Sequence, residues 1–264
     1  MKKKRERINE NDENVEMIDI NEGKKEEIVN IEFVFSCVKE DYFLMIKNLI
    51  RNNFQFEDVS INGLADLIIK MREDIGTTIK VDNDEEDKIL GVFTLIPFKF
   101  YKNNPVVNQI LEMLNNKFDE KKENKKLIKK IINNSSLGLL INERLINLPQ
   151  ELVSPAMKLI YKELEECINE EGYNGKFDID YYIVFSKYVH NIDDDKKNSQ
   201  FNSDNFLYYK YESPFFINES VININYKIKY NEHGMDIENK NQPQYMNISF
   251  VKKDIFLQII NNLS

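Results

Sequence analysis

Few residues in this 264-residue chain could perform catalytic or metal chemistry. The only histidines, His190 and His233, lie 43 positions apart, and neither belongs to a His-Glu-x-x-His motif. A zinc-hydrolase site is therefore not predicted. The two cysteines, Cys37 and Cys167, cannot form a cysteine-based zinc site and are too few for a disulfide framework. We expect both to be reduced, small apolar residues of the interior in a cytosolic or nuclear protein.

The eight glycines form no nucleotide-binding motif. No two are separated by a single residue, so the G-x-G dinucleotide fingerprint is missing, and so is the G-x-x-x-x-G-K phosphate loop. The same gap disfavours the usual acyl-CoA pyrophosphate loop. There is no G-x-S-x-G elbow for a nucleophile, and spacing alone selects no acid–base pair among 45 Asp and Glu residues. The sequence thus predicts no catalytic residue, metal ligand or cofactor.

The charge is distributed unevenly along the chain. The formal net charge is −9, but the first seven residues carry +4, so the remainder carries −13. Such an acidic body disfavours duplex DNA as a partner and favours a basic protein, because opposite potentials accelerate encounter. Solubility alone is the alternative explanation. The basic start, Lys2 to Arg7, is interpreted as either a nuclear-import signal or a solubilising tail.

Length and composition are those of a soluble folded protein with a substantial core. Hydrophobic residues make up 42% of the chain, and only 8 Gly and 6 Pro are present, which excludes collagen-like and Pro/Gly-rich disordered chains. The longest run without a charged residue, 131–142, is too short for a membrane-spanning helix. We expect a disordered arm over 1–27 and one folded domain over 28–264.

Hydrophobic periodicity predicts strands and helices that alternate along the folded part. The acidic run 82–87 falls between two predicted strands and is expected to form a hairpin tip. These elements indicate an α/β fold, with a central mixed sheet flanked by helices. Strands are predicted at 31–35, 76–81, 89–97, 137–141, 181–189, 206–211, 221–230 and 245–251, and helices from Asp41, at 61–72, at 105–132, from Pro149 to 167 and at 254–263.

Three segments together resemble the BCCIP family of nuclear and cytosolic binding proteins. They are 64–68 (LADLI) followed by 76–81 (GTTIKV) and the acidic loop, then 137–149 (LGLLINERLINLP), and finally 177–187 (FDIDYYIVFSK). The second segment is the most specific. Their order and spacing also match, so the resemblance extends from about residue 28 to the carboxyl terminus. The lysine-rich stretch 121–130 and the short amino-terminal tail of mixed sign depart from the family pattern.

The resemblance implies a single α/β domain similar in outline to the GNAT acetyltransferases but without their cofactor site. It also implies a non-enzymatic role in the nucleus and cytoplasm: chaperoning a basic ribosomal protein of the universal L-fourteen class for assembly and transport of the large subunit. Nuclear import or export factors are further possible partners. Neither a membrane nor direct nucleic-acid contact is expected. Binding of a tumour-suppressor recombination protein and of a kinase inhibitor, and support of lipid-kinase export, occur in other lineages.

The candidate partner-binding residues are almost all acidic. The hairpin tip is the leading candidate and an acidic patch over 163–171 is the second, each with a solvated surface as the alternative. Glu143 and Arg144 are interpreted either as a salt bridge that organises the turn before Pro149 or as a partner contact. The full set is Asp82, Asp84, Glu85, Glu86, Asp87, Glu143, Arg144, Glu163 and Glu166.

Two other functions compete with the binding role. A GNAT-like acyltransferase that uses acetyl-CoA would follow from the implied sheet outline. Nucleic-acid binding through the lysines of 121–130 would predict strongly salt-dependent affinity for RNA. A solvated helix face is the alternative interpretation of those lysines.

Overall fold

A computed structural model describes residues 31–54, 57–119, 125–173, 175–190, 206–228 and 243–263. The predicted arm 1–27, with its basic start, lies outside these ranges, and so does His233. Within them the chain forms an α/β fold in which helices flank both faces of one mixed sheet, as predicted.

The sheet has eight strands in the order β1-β2-β3-β4-β5-β8-β7, with β6 paired to β5. Strands β4 and β5 are parallel, and every other neighbouring pair is antiparallel. The continuous apolar run that predicted a central strand is β5, which is flanked on both sides. The strands are β1 (Phe33–Cys37), β2 (Thr77–Val81), β3 (Ile89–Pro97), β4 (Leu137–Arg144), β5 (Tyr181–His190), β6 (Phe206–Tyr208), β7 (Ile222–Lys227) and β8 (Gln244–Lys252).

Seven α-helices lie within the described ranges. In the longer helices, apolar residues recur at three- and four-residue spacing, which places one buried face on each. Short 3-10 turns, Glu40–Tyr42 and Gln150–Leu152, precede two of them. The helices are α1 (Phe43–Phe54), α2 (Ile61–Lys70), α3 (Pro105–Asp119), α4 (Lys125–Asn134), α5 (Val153–Asn169), α6 (Ser213–Asn218) and α7 (Lys253–Asn262).

Alternation along β5 shows how the two helical layers are separated. Side chains of consecutive strand residues point to opposite faces of a sheet. Phe185 contacts Phe54 of α1, whereas Tyr182 stacks on Phe256 of α7 with ring centroids 3.9 Å apart. Helix α1 packs on β3 and β4 and contacts α2, α2 contacts α3 and α3 contacts α4, while α5 packs on β2 and β3 beside α7. The core fills both spaces between sheet and helices.

The structure departs from the predicted elements in three places. The strand predicted over 206–211 ends at Tyr208. Instead of one helix over 105–132 there are two helices, α3 and α4, and they contact each other. The short helix α6 was not predicted, because its six residues are too few to show a helical period.

Cys37 is exposed, contrary to expectation, whereas Cys167 is buried as expected. None of the described helices is long and apolar enough to cross a membrane.

Candidate partner-binding surface

The acidic run 82–87 forms the tip of the β2–β3 hairpin, as the sequence predicts. Asp87 fixes this tip to the body of the protein. Its carboxylate accepts hydrogen bonds from Lys39 Nζ at 2.5 Å, from Lys80 Nζ at 2.5 Å and from the Tyr42 hydroxyl at 2.8 Å. Lys39, Lys80 and Tyr42, in that order of effect, hold the pKa of the Asp87 carboxyl well below its usual range. Asp87 is therefore a structural anchor of the tip.

Two other aspartates shape the tip locally. Asp84 accepts hydrogen bonds from the backbone amides of Glu86 and Lys88, and Asp82 accepts one from the amide of Asn83. Asn83 has a φ of 55°, a left-handed conformation that asparagine tolerates well. These bonds determine the course of the tip but leave part of each carboxylate accessible.

Glu85 and Glu86 are the outermost carboxylates of the tip, and both are exposed. Glu86 forms an ion pair with Lys88, which is itself exposed. Such surface ion pairs contribute little to stability and can exchange for a partner's cation. Of the five acidic tip residues, Glu85 and Glu86 are best placed to meet another protein.

The second acidic patch lies on α5. Glu166 is exposed, and together with Lys162, Glu165, Asn169 and Glu170 it lines a shallow, open depression. Glu163 differs, because its carboxylate accepts a hydrogen bond from the Gly76 amide at 2.8 Å and is half-buried. Glu163 thus ties α5 to the start of β2, whereas Glu166 remains on the surface.

The two acidic regions lie at opposite ends of β2. The hairpin tip follows Val81, while Glu163 contacts Gly76, immediately before the strand begins. A five-residue strand rises about 3.3 Å per residue, so about 16 Å separates its ends. The structure does not bring the tip and the α5 patch into one cluster.

Glu143 is interior and cannot meet a partner in this conformation. Its side chain is 6% exposed, and its carboxylate accepts hydrogen bonds from Lys210 Nζ at 2.8 Å and from Asn53 Nδ2 at 2.6 Å. The sequence suggested either a partner contact or a pair with Arg144 for Glu143. The structure corrects both, because Glu143 pairs with Lys210 in the interior. A buried carboxylate needs a compensating cation, and Lys210 supplies it.

Arg144 is likewise held inside the protein. Its guanidinium donates two hydrogen bonds of 2.8 Å to the two oxygens of Glu212, in the bidentate geometry typical of arginine and carboxylate. The side chains of Arg144 and Glu212 are 7% and 1% exposed. Asn142 joins the ion pairs, because it donates to Glu212 and accepts from Lys210. Sequence spacing could not reveal this network, since its members lie about 70 positions apart.

The network lies where β4 and β5 separate. These strands pair only from Leu137–Tyr181 to Leu139–Ile183. Farther along, β5 pairs with β6, and the Tyr209 amide donates to the Lys187 carbonyl at 3.1 Å. Residues 206–212, the bridging segment, therefore lie between the separated strands, bonded through backbone groups to β5 and through side chains to β4.

The turn after β4 presents apolar side chains that belong to none of the predicted sites. Leu145 and Ile146 are 45% and 76% exposed. The amide of Leu145 donates to the carbonyl of Leu90 at 2.9 Å, so the turn lies beside the start of β3 and hence beside the hairpin tip. Their position at the end of a buried run, before Pro149, was the only signal in the sequence.

The remaining chemical predictions concern metals and polyanions. Among the described residues, no group of three or more histidine, cysteine and carboxylate side chains could hold a metal ion. Lys126, Lys129 and Lys130 are exposed on α4, whereas Ile128 and Ile131 face the interior. The lysine-rich stretch is thus an amphipathic surface helix over its described part.

The BCCIP family profile matches residues 28–236. Among curated relatives, Protein BCP1 of Debaryomyces hansenii is 29% identical over 61% of this chain, and the BRCA2 and CDKN1A-interacting protein of Bos taurus is 27% identical over 77%. The matched region spans 56% of the first relative and 70% of the second.

The fold also has a solved counterpart. The crystal structure of BCP1 from Saccharomyces cerevisiae superposes with a TM-score of 0.61 at 22% sequence identity, covering 91% of this chain and 90% of the other. At this identity the match establishes the fold. The family profile covers well over half of the chain, and its matched region contains the three motif segments, the hairpin tip and the buried charge network. This chain is a member of the BCCIP family.

Proposed function

We propose that this chain is a non-enzymatic binding protein that chaperones a basic protein of the large ribosomal subunit, of the universal L-fourteen class, in the nucleus and cytoplasm. The exposed acidic tip of the β2–β3 hairpin on a body of net charge −13 carries the proposal. Carboxylates at the tip would attract the client and shield its cations from nucleic acid until assembly. The family includes a protein named for its interactions with BRCA2 and CDKN1A, which supports a binding role.

Charge reversal at the tip tests this function. The double variant Glu85→Lys/Glu86→Lys removes two exposed carboxylates without touching the Asp87 anchor. We expect its association rate with the purified ribosomal protein to fall by about tenfold at low salt, because electrostatic steering acts mainly on association. Surface plasmon resonance at two salt concentrations would measure the rates.

A matched control makes the same charge change elsewhere. Glu112 of α3 and Glu219 after α6 are exposed, so Glu112→Lys/Glu219→Lys alters the net charge equally. This control should bind nearly as fast as the wild type. Equal losses in both variants would show that only overall charge matters, and no binding by the wild type would refute the chaperone function.

An acyltransferase is the second candidate suggested by the sequence. The space between the separated strands β4 and β5 would offer room for an extended ligand. The bridging segment occupies it, and its two charges, Lys210 and Glu212, are paired with Glu143 and Arg144 of β4. We therefore expect no stabilisation by acetyl-CoA in a thermal-shift assay. A saturable rise of the melting temperature with acetyl-CoA would support the enzymatic interpretation.

Transport belongs to the same proposal. Deleting residues 2–7, which carry the basic start, tests it by fluorescence microscopy. Loss of nuclear accumulation would support an import signal, whereas unchanged distribution would favour the solubilising tail.

A further inference from the structure

We infer that the turn Leu145–Leu148, here called the apolar turn, is the docking point for an apolar side chain in a basic segment of the client. The inference rests on the proposed function and adds to it a second type of contact. The acidic tip would attract the client, and the apolar turn would retain it.

The turn exposes two apolar side chains. Ile146 is 76% exposed, which is the highest value among the large apolar side chains of the described residues, and its neighbour Leu145 is 45% exposed. A single exposed leucine or isoleucine on a protein surface needs no explanation. Two consecutive ones at the tip of a turn form an apolar surface that an apolar side chain of a partner can cover, and burying one such side chain stabilises a complex by about 1.5–3 kcal/mol.

The turn is held rigidly at both ends. Arg144, directly before it, is fixed by the buried bidentate pair with Glu212, and its last residue, Leu148, is 8% exposed. Within it the Leu148 amide donates to the Leu145 carbonyl at 3.1 Å. The turn therefore presents Ile146 in a fixed position, and a preorganised contact loses less conformational entropy on binding than a flexible one.

The charge around the turn selects the occupant. Leu145 is bonded to Leu90, and Glu85 and Glu86 precede Leu90 by four or five residues, so both lie within about 17 Å of it along the chain. Glu151, just after the turn, is also exposed. An apolar projection flanked by carboxylates complements a segment in which an apolar residue is flanked by lysine or arginine.

The same charges oppose a second copy of this chain as the occupant. Two copies that met through this surface would bring their own acidic tips together, and like charges across an interface cost affinity. A basic client lacks this repulsion.

The test separates the apolar contact from the electrostatic one. We expect Leu145→Ser/Ile146→Ser to weaken binding of the purified ribosomal protein by about tenfold, through faster dissociation, with an unchanged dependence on salt. The control is Leu127→Ser on α4, which is 42% exposed and lies on a helix that packs against α3. It should bind as the wild type does. Surface plasmon resonance at low and high salt measures the rates, and thermal melting confirms that the variants fold.

Each outcome decides the inference. If wild type and the serine variant bind equally while the tip variant is impaired, the docking point is wrong and the chaperone function stands. If the wild type does not bind, both fail. If sedimentation shows a wild-type dimer that the serine variant loses, the turn is a self-association surface, and the inference is overturned. Should the double variant melt early, Ile146→Ala, which removes only the most exposed side chain, replaces it in the same assay.

Discussion

At the scale of single residues, the buried charges decide how the carboxyl end of β4 is built. Two ion pairs, Arg144–Glu212 and Glu143–Lys210, place four charged groups in the interior. Arg144 is compensated by its bidentate pair with Glu212, and the side-chain amides of Asn142 and Asn53 add hydrogen bonds to the other three groups. Such a network fixes geometry more than it adds stability, because desolvation offsets much of the attraction.

Removing one partner of a buried pair should be costly. We expect Glu212→Ala to lower the free energy of unfolding by about 3–5 kcal/mol, because Arg144 would remain buried without a counter-charge. Chemical denaturation measures the change, with Glu85→Ala at an exposed carboxylate as the control. A loss below about 1 kcal/mol would mean that water or another acceptor readily reaches Arg144.

The hairpin tip should depend on pH through Asp87. The pKa of Asp87 is lowered in the folded protein. The stability that its carboxylate adds to the tip is therefore present above the pKa of the unfolded chain and is lost as pH falls toward the pKa of the folded protein. We expect hydrogen exchange at the tip, corrected for intrinsic rates, to accelerate below about pH 4, the ordinary pKa of aspartate. In Asp87→Asn the tip should open at every acidic pH. Equal protection in both proteins would contradict the anchoring role.

At the scale of elements, the strands and most helices could be predicted because their hydrophobic periods are local. The predicted β3, over 89–97, coincides with Ile89–Pro97, and the acidic hairpin tip is where the sequence places it. The buried ion pair of Glu143 with Lys210 could not be predicted, because only tertiary packing brings the bridging segment next to β4. The role of Asp87 was missed for the same reason, since Lys39 and Tyr42 lie more than 40 positions away.

Close packing at Gly138 provides an element-level test. A Cβ atom built there would lie 2.6 Å from Ile179 Cδ1 and 3.1 Å from both Cγ atoms, where β4 meets the segment before β5. We expect Gly138→Ala to destabilise the protein by about 1–3 kcal/mol through overpacking. Ile179→Ala in the same chain should recover part of that loss. Additive losses, measured by urea unfolding, would show that the two positions do not compete for space.

At the scale of the whole molecule, the charge pattern links the fold to the proposed function. The fold exposes Glu85 and Glu86 at the tip and buries Glu143, so net charge alone does not identify the acidic surface. The apolar turn beside the tip gives the same region a contact that salt does not screen. An acidic, partly apolar surface of this kind suits a client whose cations must be covered reversibly.

The most direct test is the affinity of the chain for the purified ribosomal protein across a salt series. From about 50 to 500 mM salt the Debye length falls several-fold. The association rate should therefore fall steeply while the dissociation rate changes little, leaving measurable binding at the highest concentration. No binding at the lowest salt concentration, or an association rate that salt does not alter, would contradict an acidic surface that attracts a basic client.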